Sequence, residues 1–412
     1  MLWGKRTVRE FGRRLVALAA VAMLAVMIVP ATISAGDERA EWTFMVYLDA
    51  DNNLETYGIM NIEWLETVGS DENVNFVVLL DTYGEPADLL YVREGTSDSV
   101  GEAYGYPMEV DMSDPVVLEE FIVNTCTDYP ADKYALILWD HGGGWRGLCW
   151  DDTTEEETGL NECITMVELR DALLDAKEET GIVLDVVGFD LCLMAMPEVA
   201  YQVRDCADYV VFSEETVPGA GFPYDAIARD LVADAGMDGK GLSEVIVNDY
   251  GDYYSSLAGW VDWTISAFDM DYMDDIFYAV DDLGTELLES LRAYMNLIQQ
   301  DLIGAQEYYY PYNVDLKGFA MNLLADDNID NDELKDAAER VIEAVEGGVF
   351  AMYNSIHNDE SHGIAIYAPS TNDGMHSIKD DYVDVPFAQD TSWYEFVLKF
   401  SSWEGRTWGR DK

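Results

Sequence analysis

The sequence predicts an α/β fold built on a largely parallel sheet, and three observations lead to it. Short apolar runs alternate with helical patterns along most of the chain. The runs are almost continuously apolar, as expected of strands covered on both faces. Several end in an acid or a serine, and in parallel sheets reacting groups collect at such strand exits. The 412 residues are 49% hydrophobic and 12% aromatic, enough to bury a large core and to exclude a disordered chain.

Strands are predicted at Thr43–Asp49, Asn75–Asp81, Tyr134–Asp140, Asp185–Asp190, Tyr209–Ser213 and Thr264–Asp269. Helices are predicted at Asp114–Cys126, Met166–Thr180 and Met194–Asp205, where apolar residues recur at three and four. After Thr264 the pattern turns helical, around Tyr272–Leu297 and Asp332–Glu346. A short strand at Gly363–Tyr367 and an aromatic helix near Trp393–Phe400 follow. The organisation read from this is an export segment at 1–35, a core at 36–260 and a smaller, mostly helical C-terminal region at 261–412. That last region completes or flanks the core, with a boundary somewhere in 230–270. No tandem repeat or low-complexity linker marks it.

Acidic residues outnumber basic ones 81 to 23, for a formal charge of -58. Residues 1–35 hold five of the basic side chains and one acid, which leaves 18 against 80, or -62, for the remainder. Such a surface lacks the Lys/Arg needed for phosphate contacts, so nucleic acid is not expected as a partner. Self-repulsion of this size is tolerated where salt screens it, which points to a salt-adapted, halophilic setting.

The N-terminus has a basic start, an apolar run from Leu15 to Val29, then Pro30 and small residues up to Ala35. Those features read as a signal peptide cleaved near Ser34-Ala35-Gly36. Fifteen apolar residues are short for a spanning helix, so no stable membrane span is expected after cleavage. Arg13-Arg14 raises a twin-arginine route. Five cysteines, Cys126, Cys149, Cys163, Cys192 and Cys206, cannot all pair with one another. With no CxxC spacing and four histidines (His141, His357, His362, His376), a structural zinc site has little support.

Two strand exits carry chemistry. In Leu136-Ile137-Leu138-Trp139-Asp140-His141-Gly142-Gly143-Gly144-Trp145 an imidazole ends a buried strand, and three glycines let the backbone approach a ligand. The plainer reading is a flexible turn with an incidental histidine. In Val186-Val187-Gly188-Phe189-Asp190-Leu191-Cys192-Leu193-Met194 a thiol follows a strand and opens a helical pattern. A helix start there is expected to depress the thiol pKa, although a free cysteine is often only a small buried hydrophobe. One crossover separates the two exits, so both residues can reach one sheet edge. A thiol nucleophile with a histidine acid/base fits this, with the backbone N–H groups of Gly142 and Cys192 placed for an oxyanion.

The chain resembles the clostripain family of cysteine peptidases, in the caspase-like clan. The resemblance rests on Trp42–Glu55, on the run Trp139–Trp145, on Gly188–Ala195, on Ser213-Glu214-Glu215 with Pro218 and Phe222-Pro223-Tyr224-Asp225, and weakly on Gly363–Tyr367. The 51-residue separation of His141 and Cys192 is also close to the roughly 50 of caspases. It implies a caspase-like three-layer α/β/α sandwich, a His141/Cys192 dyad and a thioester acyl-enzyme. It further implies peptide or protein substrates cleaved after Arg or Lys, with Asp190 at the floor of the P1 pocket. Against the pocket stands a helix-capping role for Asp190.

Self-cleavage in the loop between the dyad residues, which the resemblance also brings to mind, has no basic residue to use between Arg146 and Arg170. Calcium dependence is a further implication, with no site that the sequence names. Asp49-Ala50-Asp51-Asn52-Asn53 opens like an EF-hand, but Leu54 and Met60 stand where glycine and the bidentate Glu are needed. Asp326–Asp332 reads as a solvated turn. Two other readings are a non-catalytic caspase-like surface protein that binds cationic peptides or partners, and a metal-assisted hydrolase on Asp49, Asp51, Asp140 and His141.

Overall fold

The computed structural model describes residues 39–160, 162–257, 259, 261–369 and 379–403. The proposed signal segment and His376 lie outside the described residues. The strands are β1 (Ala40–Ala50), β2 (Val74–Thr82), β3 (Glu85–Arg93), β4 (Thr96–Ser99), β5 (Ala131–Trp139), β6 (Leu184–Asp190), β7 (Ala207–Phe212), β8 (Thr264–Asp269), β9 (Asn313–Asp315), β10 (Val349–Asn354) and β11 (Ala365–Tyr367). The helices used below are α1 (Glu55–Glu66), α2 (Pro115–Asp128), α3 (Asp152–Thr158), α4 (Met166–Thr180), α5 (Pro197–Val203), α6 (Tyr224–Ala233), α7 (Gly239–Ser256), α8 (Met273–Ile303), α9 (Leu316–Ala325) and α10 (Asp332–Gly348).

One sheet runs in the order β10-β8-β7-β6-β5-β1-β2-β3-β4. Its centre, β7-β6-β5-β1-β2, is parallel, and its flanks are antiparallel. Alternate side chains of the central strands feed two cores, so both faces are dry. Met45, Tyr47, Leu136, Leu138, Val187 and Phe189 face α2, α4, α5 and the long C-terminal helices. Phe44, Val46, Leu48, Ala135, Ile137 and Val186 face α1, α6 and α7. This is the three-layer α/β/α arrangement that the sequence implies.

Local signals set the element ends. Asp114 caps α2 by accepting from the Val116 N–H, with Pro115 at the first helical position. A capping box of Thr165 and Glu168 starts α4, which stops at Gly181 in the left-handed region. The six strands predicted from apolar runs are present, with ends shifted by a few residues. The hairpin β3–β4 and the edge strand β10 were not predicted, because edge strands are half exposed and lack a continuous apolar run. Met194–Asp205 is a helix only over Pro197–Val203. Residues after 260 supply β8 and β10 to the same sheet, while Gly363–Tyr367 yields β11, paired with β9 outside it. Among the described residues no helix is long and apolar enough to cross a membrane.

The strands β1 and β5 are neighbours, yet the chain leaves β1 for β2 on one side and later builds β5 and β6 on the other. That reversal opens a crevice at the carboxyl edge, the favoured ligand position in such sheets. The excess of acids is not neutralised by pairing: ion pairs such as Arg93–Asp98 and Lys399–Glu395 are between half-exposed or exposed side chains, each contributing at most about 1 kcal/mol. Raising NaCl from about 0.1 M to about 1 M shortens the screening length from about 10 Å to about 3 Å. The melting temperature is therefore expected to rise across that range in a scanning-fluorimetry series, and an unchanged or falling value would contradict the repulsion argument.

Candidate functional site

Strand pairing brings the two exits together. Trp139 of β5 pairs in register with Asp190 of β6, so His141 and Cys192 each lie two residues beyond a matched position. Adjacent strands are about 4.8 Å apart. Contact at the next residue is closer still: a Cβ on Gly142 would sit 2.4 Å from the Cys192 carbonyl oxygen and 2.9 Å from its nitrogen. Glycine is required at 142 by this approach, and at Gly144 by a φ of +62°.

The half-buried His141 ring has one polar partner, Nε2 to Asn53 Oδ1 at 2.9 Å. With a carbonyl oxygen accepting, Nε2 carries the proton and Nδ1 keeps its lone pair. Burial lowers the imidazole pKa, while the Asp152 carboxylate works in the opposite direction. Asn53 belongs to the loop after β1. Its residue type alone gave no signal, and only its place in the Trp42–Glu55 stretch could have drawn attention to it.

Cys192 sits in an irregular segment rather than at a helix start. α5 begins five residues later, with Met196 at its cap position. The segment is held from the other side by the residues after β7: Leu193 N–H donates to the Glu215 carbonyl (3.1 Å) and Ala195 N–H to the Ser213 carbonyl (2.9 Å). Leu193 takes a φ of +67°, an unusual conformation for leucine beside a reactive group. The Val217 N–H donates to Cys192 Sγ at 3.3 Å. Ser213, Glu214 and Glu215 are fixed in turn by the Thr264 hydroxyl of β8, which Ser213 Oγ meets at 3.0 Å and to which both glutamate amides donate.

The expected depression of the Cys192 pKa is not found. Burial pushes the thiol up to about 11; the Val217 amide pulls down, and the carboxylates of Asp190, Glu215 and Asp140 add to the rise. Because α5 begins only at Pro197, the thiol does not stand at its start, and the low-dielectric surroundings decide the sign. The Gly142 and Cys192 N–H groups, named from the sequence for an oxyanion, take part in no hydrogen bond among the described residues.

Asp190 is buried at the end of β6. Its Oδ2 accepts from the Phe222 N–H (2.8 Å) and the Tyr224 hydroxyl (3.0 Å), both on the loop that leads into α6. It caps no helix. Oδ1 is buried without a hydrogen-bond partner, and burial raises the carboxyl to about 7. Tyr254 fixes the same loop by donating to the Gly221 carbonyl at 2.8 Å.

All five cysteines are free, three of them buried. Two clusters of carboxylates form among the described residues, Asp51 with Asp81 and Asp151, and Asp49 with Asp140 and Cys149. The first offers only hard oxygen donors and suits a calcium-class ion. In the second, both Asp140 oxygens already accept, from Asn52 and the Trp150 N–H. Burial there drives the Cys149 thiol upward, which keeps it neutral and a poor ligand.

The model that describes the Clostripain family matches residues 46–403. Clostripain of Hathewaya histolytica is 26% identical over 428 residues, covering 86% of this chain and 79% of that protein. A secreted C11 cysteine protease from Bacteroides thetaiotaomicron, solved with an irreversible peptide inhibitor, superposes with a TM-score of 0.65 at 21% identity, over 87% of this chain and 99% of that one. An inactive zymogen C11 protease from Parabacteroides distasonis gives 0.64 at 21% identity, over 86% and 98%.

In the free chain, alkylation of Cys192 by iodoacetamide is expected to accelerate with pH up to about 11, read by peptide mass spectrometry. A rate already at its plateau at neutral pH would show that the thiol is ionised at rest.

Proposed function

Because this chain belongs to the clostripain family of cysteine peptidases, we propose that it is an exported endopeptidase that uses Cys192 and His141 to cleave peptides after arginine or lysine. What carries this reading is the register of β5 and β6, which places Gly142 against the Cys192 backbone. In the free chain a neutral thiol sits near a neutral imidazole. Transfer of the thiol proton to Nδ1 of His141 makes the nucleophile only when substrate excludes water from the site.

The sulfur attacks the carbonyl carbon of the scissile bond. Negative charge then develops on its oxygen, towards which the Gly142 and Cys192 N–H groups can donate. Collapse breaks the C–N bond, and the imidazolium returns its proton to the departing amine. A thioester to Cys192 remains. Water, deprotonated by His141, attacks it and releases the carboxylate product and the thiol. Asn53 acts as a positioning residue, holding the ring with Nδ1 unprotonated.

The buried, half-satisfied Asp190 supports the specificity. A guanidinium or ammonium can pair with the Oδ1 that lacks a partner, whereas a neutral side chain leaves the charge unpaired, a loss of about 3–5 kcal/mol for a buried ion pair. The signal-peptide pattern at 1–35 and the likeness to a secreted Bacteroides protease favour export. The acidic surface would draw in basic peptides at low ionic strength.

Cys192→Ala is expected to abolish peptide cleavage while leaving the melting temperature within a few degrees; retained turnover would remove Cys192 from the mechanism. Alkylation should stop the enzyme in the presence or absence of chelator, which a metal hydrolase would not show. For Asp190, ionisation near pH 7 sets the sign of the pH effect. The ratio of kcat/KM for an arginine substrate to that for its neutral isostere should climb as pH rises through about 7. In Asp190→Asn the ratio should be flat and about a hundredfold lower. A wild-type ratio independent of pH, or an unchanged preference in the variant, would place the specificity elsewhere.

A further inference from the structure

We infer that the cavity beside the glycine loop is a subsite for the departing half of the peptide, taking a bulky apolar side chain from one of the two residues after the scissile bond. The inference rests on the peptidase reading given above. Among the described residues the cavity measures about 470 Å³, within the range of about 300–1,000 Å³ usual for ligand pockets. Trp145, Trp150, Met166, Val167 and Val385 give it apolar walls, and Arg146, Asp381 and Asp384 add charge.

Its place beside the strand exits carries the assignment. Gly142 packs on the Cys192 backbone, and its neighbour Gly143 packs on the cavity wall: a Cβ there would sit 3.2 Å from the Trp150 ring and 3.3 Å from Arg146 Cβ. The cavity thus begins one residue beyond the contact with Cys192. It also lies on the other face of the sheet from Asp190. Phe222 and Tyr224, which donate to Asp190, belong to the core under α1, α6 and α7. Trp145 and Met166 belong to the core under α2, α4 and α5. The P1 side chain and the departing amine diverge from the scissile carbonyl, so a P1 residue seated against Asp190 sends the following residues towards the opposite face.

The wall is built ahead of any ligand. Trp145 stands edge-to-face with Tyr367 and Tyr382, at centroid distances of 5.1 and 4.8 Å. Both tyrosines are tied to Glu198, a wholly buried carboxylate of α5 that the peptidase chemistry does not use. Its Oε1 accepts from the Tyr367 N–H at 3.1 Å and from the Tyr382 hydroxyl at 2.9 Å. An aromatic wall fixed in this way loses little freedom when a side chain packs on it. Two indoles and three apolar side chains suit an aromatic or branched residue. With Asp381 and Asp384 against Arg146 alone, the charge of the lining is negative and opposes an acidic one.

The test compares two kinds of substrate that share one sequence up to a P1 arginine: internally quenched peptides that continue past the scissile bond, and an aminomethylcoumarin amide that stops there. In the parent chain, phenylalanine or leucine at one of the two positions after the bond is expected to raise kcat/KM at least about tenfold over glycine, with aspartate lowest. A flat profile at both positions would overturn the subsite, a result that needs no variant to fold. Val167→Trp fills the cavity from the first turn of α4, and Trp150→Ala removes a wall. Each should lower the ratio of quenched-peptide to coumarin kcat/KM by about tenfold, while Asp327→Asn on an exposed turn should leave the ratio at the parent value. An unchanged ratio in both cavity variants would also overturn the subsite. No turnover of either substrate by the parent chain would overturn the peptidase reading and the subsite with it.

Discussion

The parallel pairing of β5 with β6 is the constraint from which the rest follows. Matched at Trp139 and Asp190, the two strands end together, and His141 and Cys192 follow two positions on. Any slip of one residue would send each side chain of the slipped strand into the opposite core, against partners it does not fit. The dry cores on both sides thus enforce the register that aligns the site. Gly142 completes the arrangement, since a side chain there would collide with the Cys192 backbone.

Burial then governs the chemistry. It raises the Cys192 thiol and the Asp190 carboxyl together and lowers the His141 imidazole. Each shift favours the neutral form at rest. In the proposed mechanism a cationic substrate side chain would reverse the balance at Asp190, and the thiol proton would pass to His141 as the sulfur attacks the substrate carbonyl. The surrounding acids sharpen this, because Asp190, Glu215 and Asp140 all oppose a thiolate.

The central sheet and the two strand exits that carry His141 and Cys192 were legible because both announce themselves locally. Thr43–Asp49 and Tyr134–Asp140 are unbroken apolar runs, and His141 and Cys192 stand immediately beyond such runs. What the sequence hid is non-local. Asn53 meets His141 across 88 positions, and the Val217 amide reaches Cys192 across 25. The helix expected at Met194 failed because Leu193 and Ala195 bond across to Glu215 and Ser213, so tertiary hydrogen bonds overrode the apolar periodicity. With that helix went the expected acidity of the thiol.

The most direct measurement is the crystal structure of the chain after reaction with a peptidyl acyloxymethyl ketone that carries lysine at P1. The expected result is a single covalent bond to Cys192 Sγ, with the lysine ammonium against Asp190 and the His141 ring beside the sulfur. A bond to Cys163 or Cys149, or a lysine directed away from Asp190 with the imidazole out of reach, would contradict the assignment.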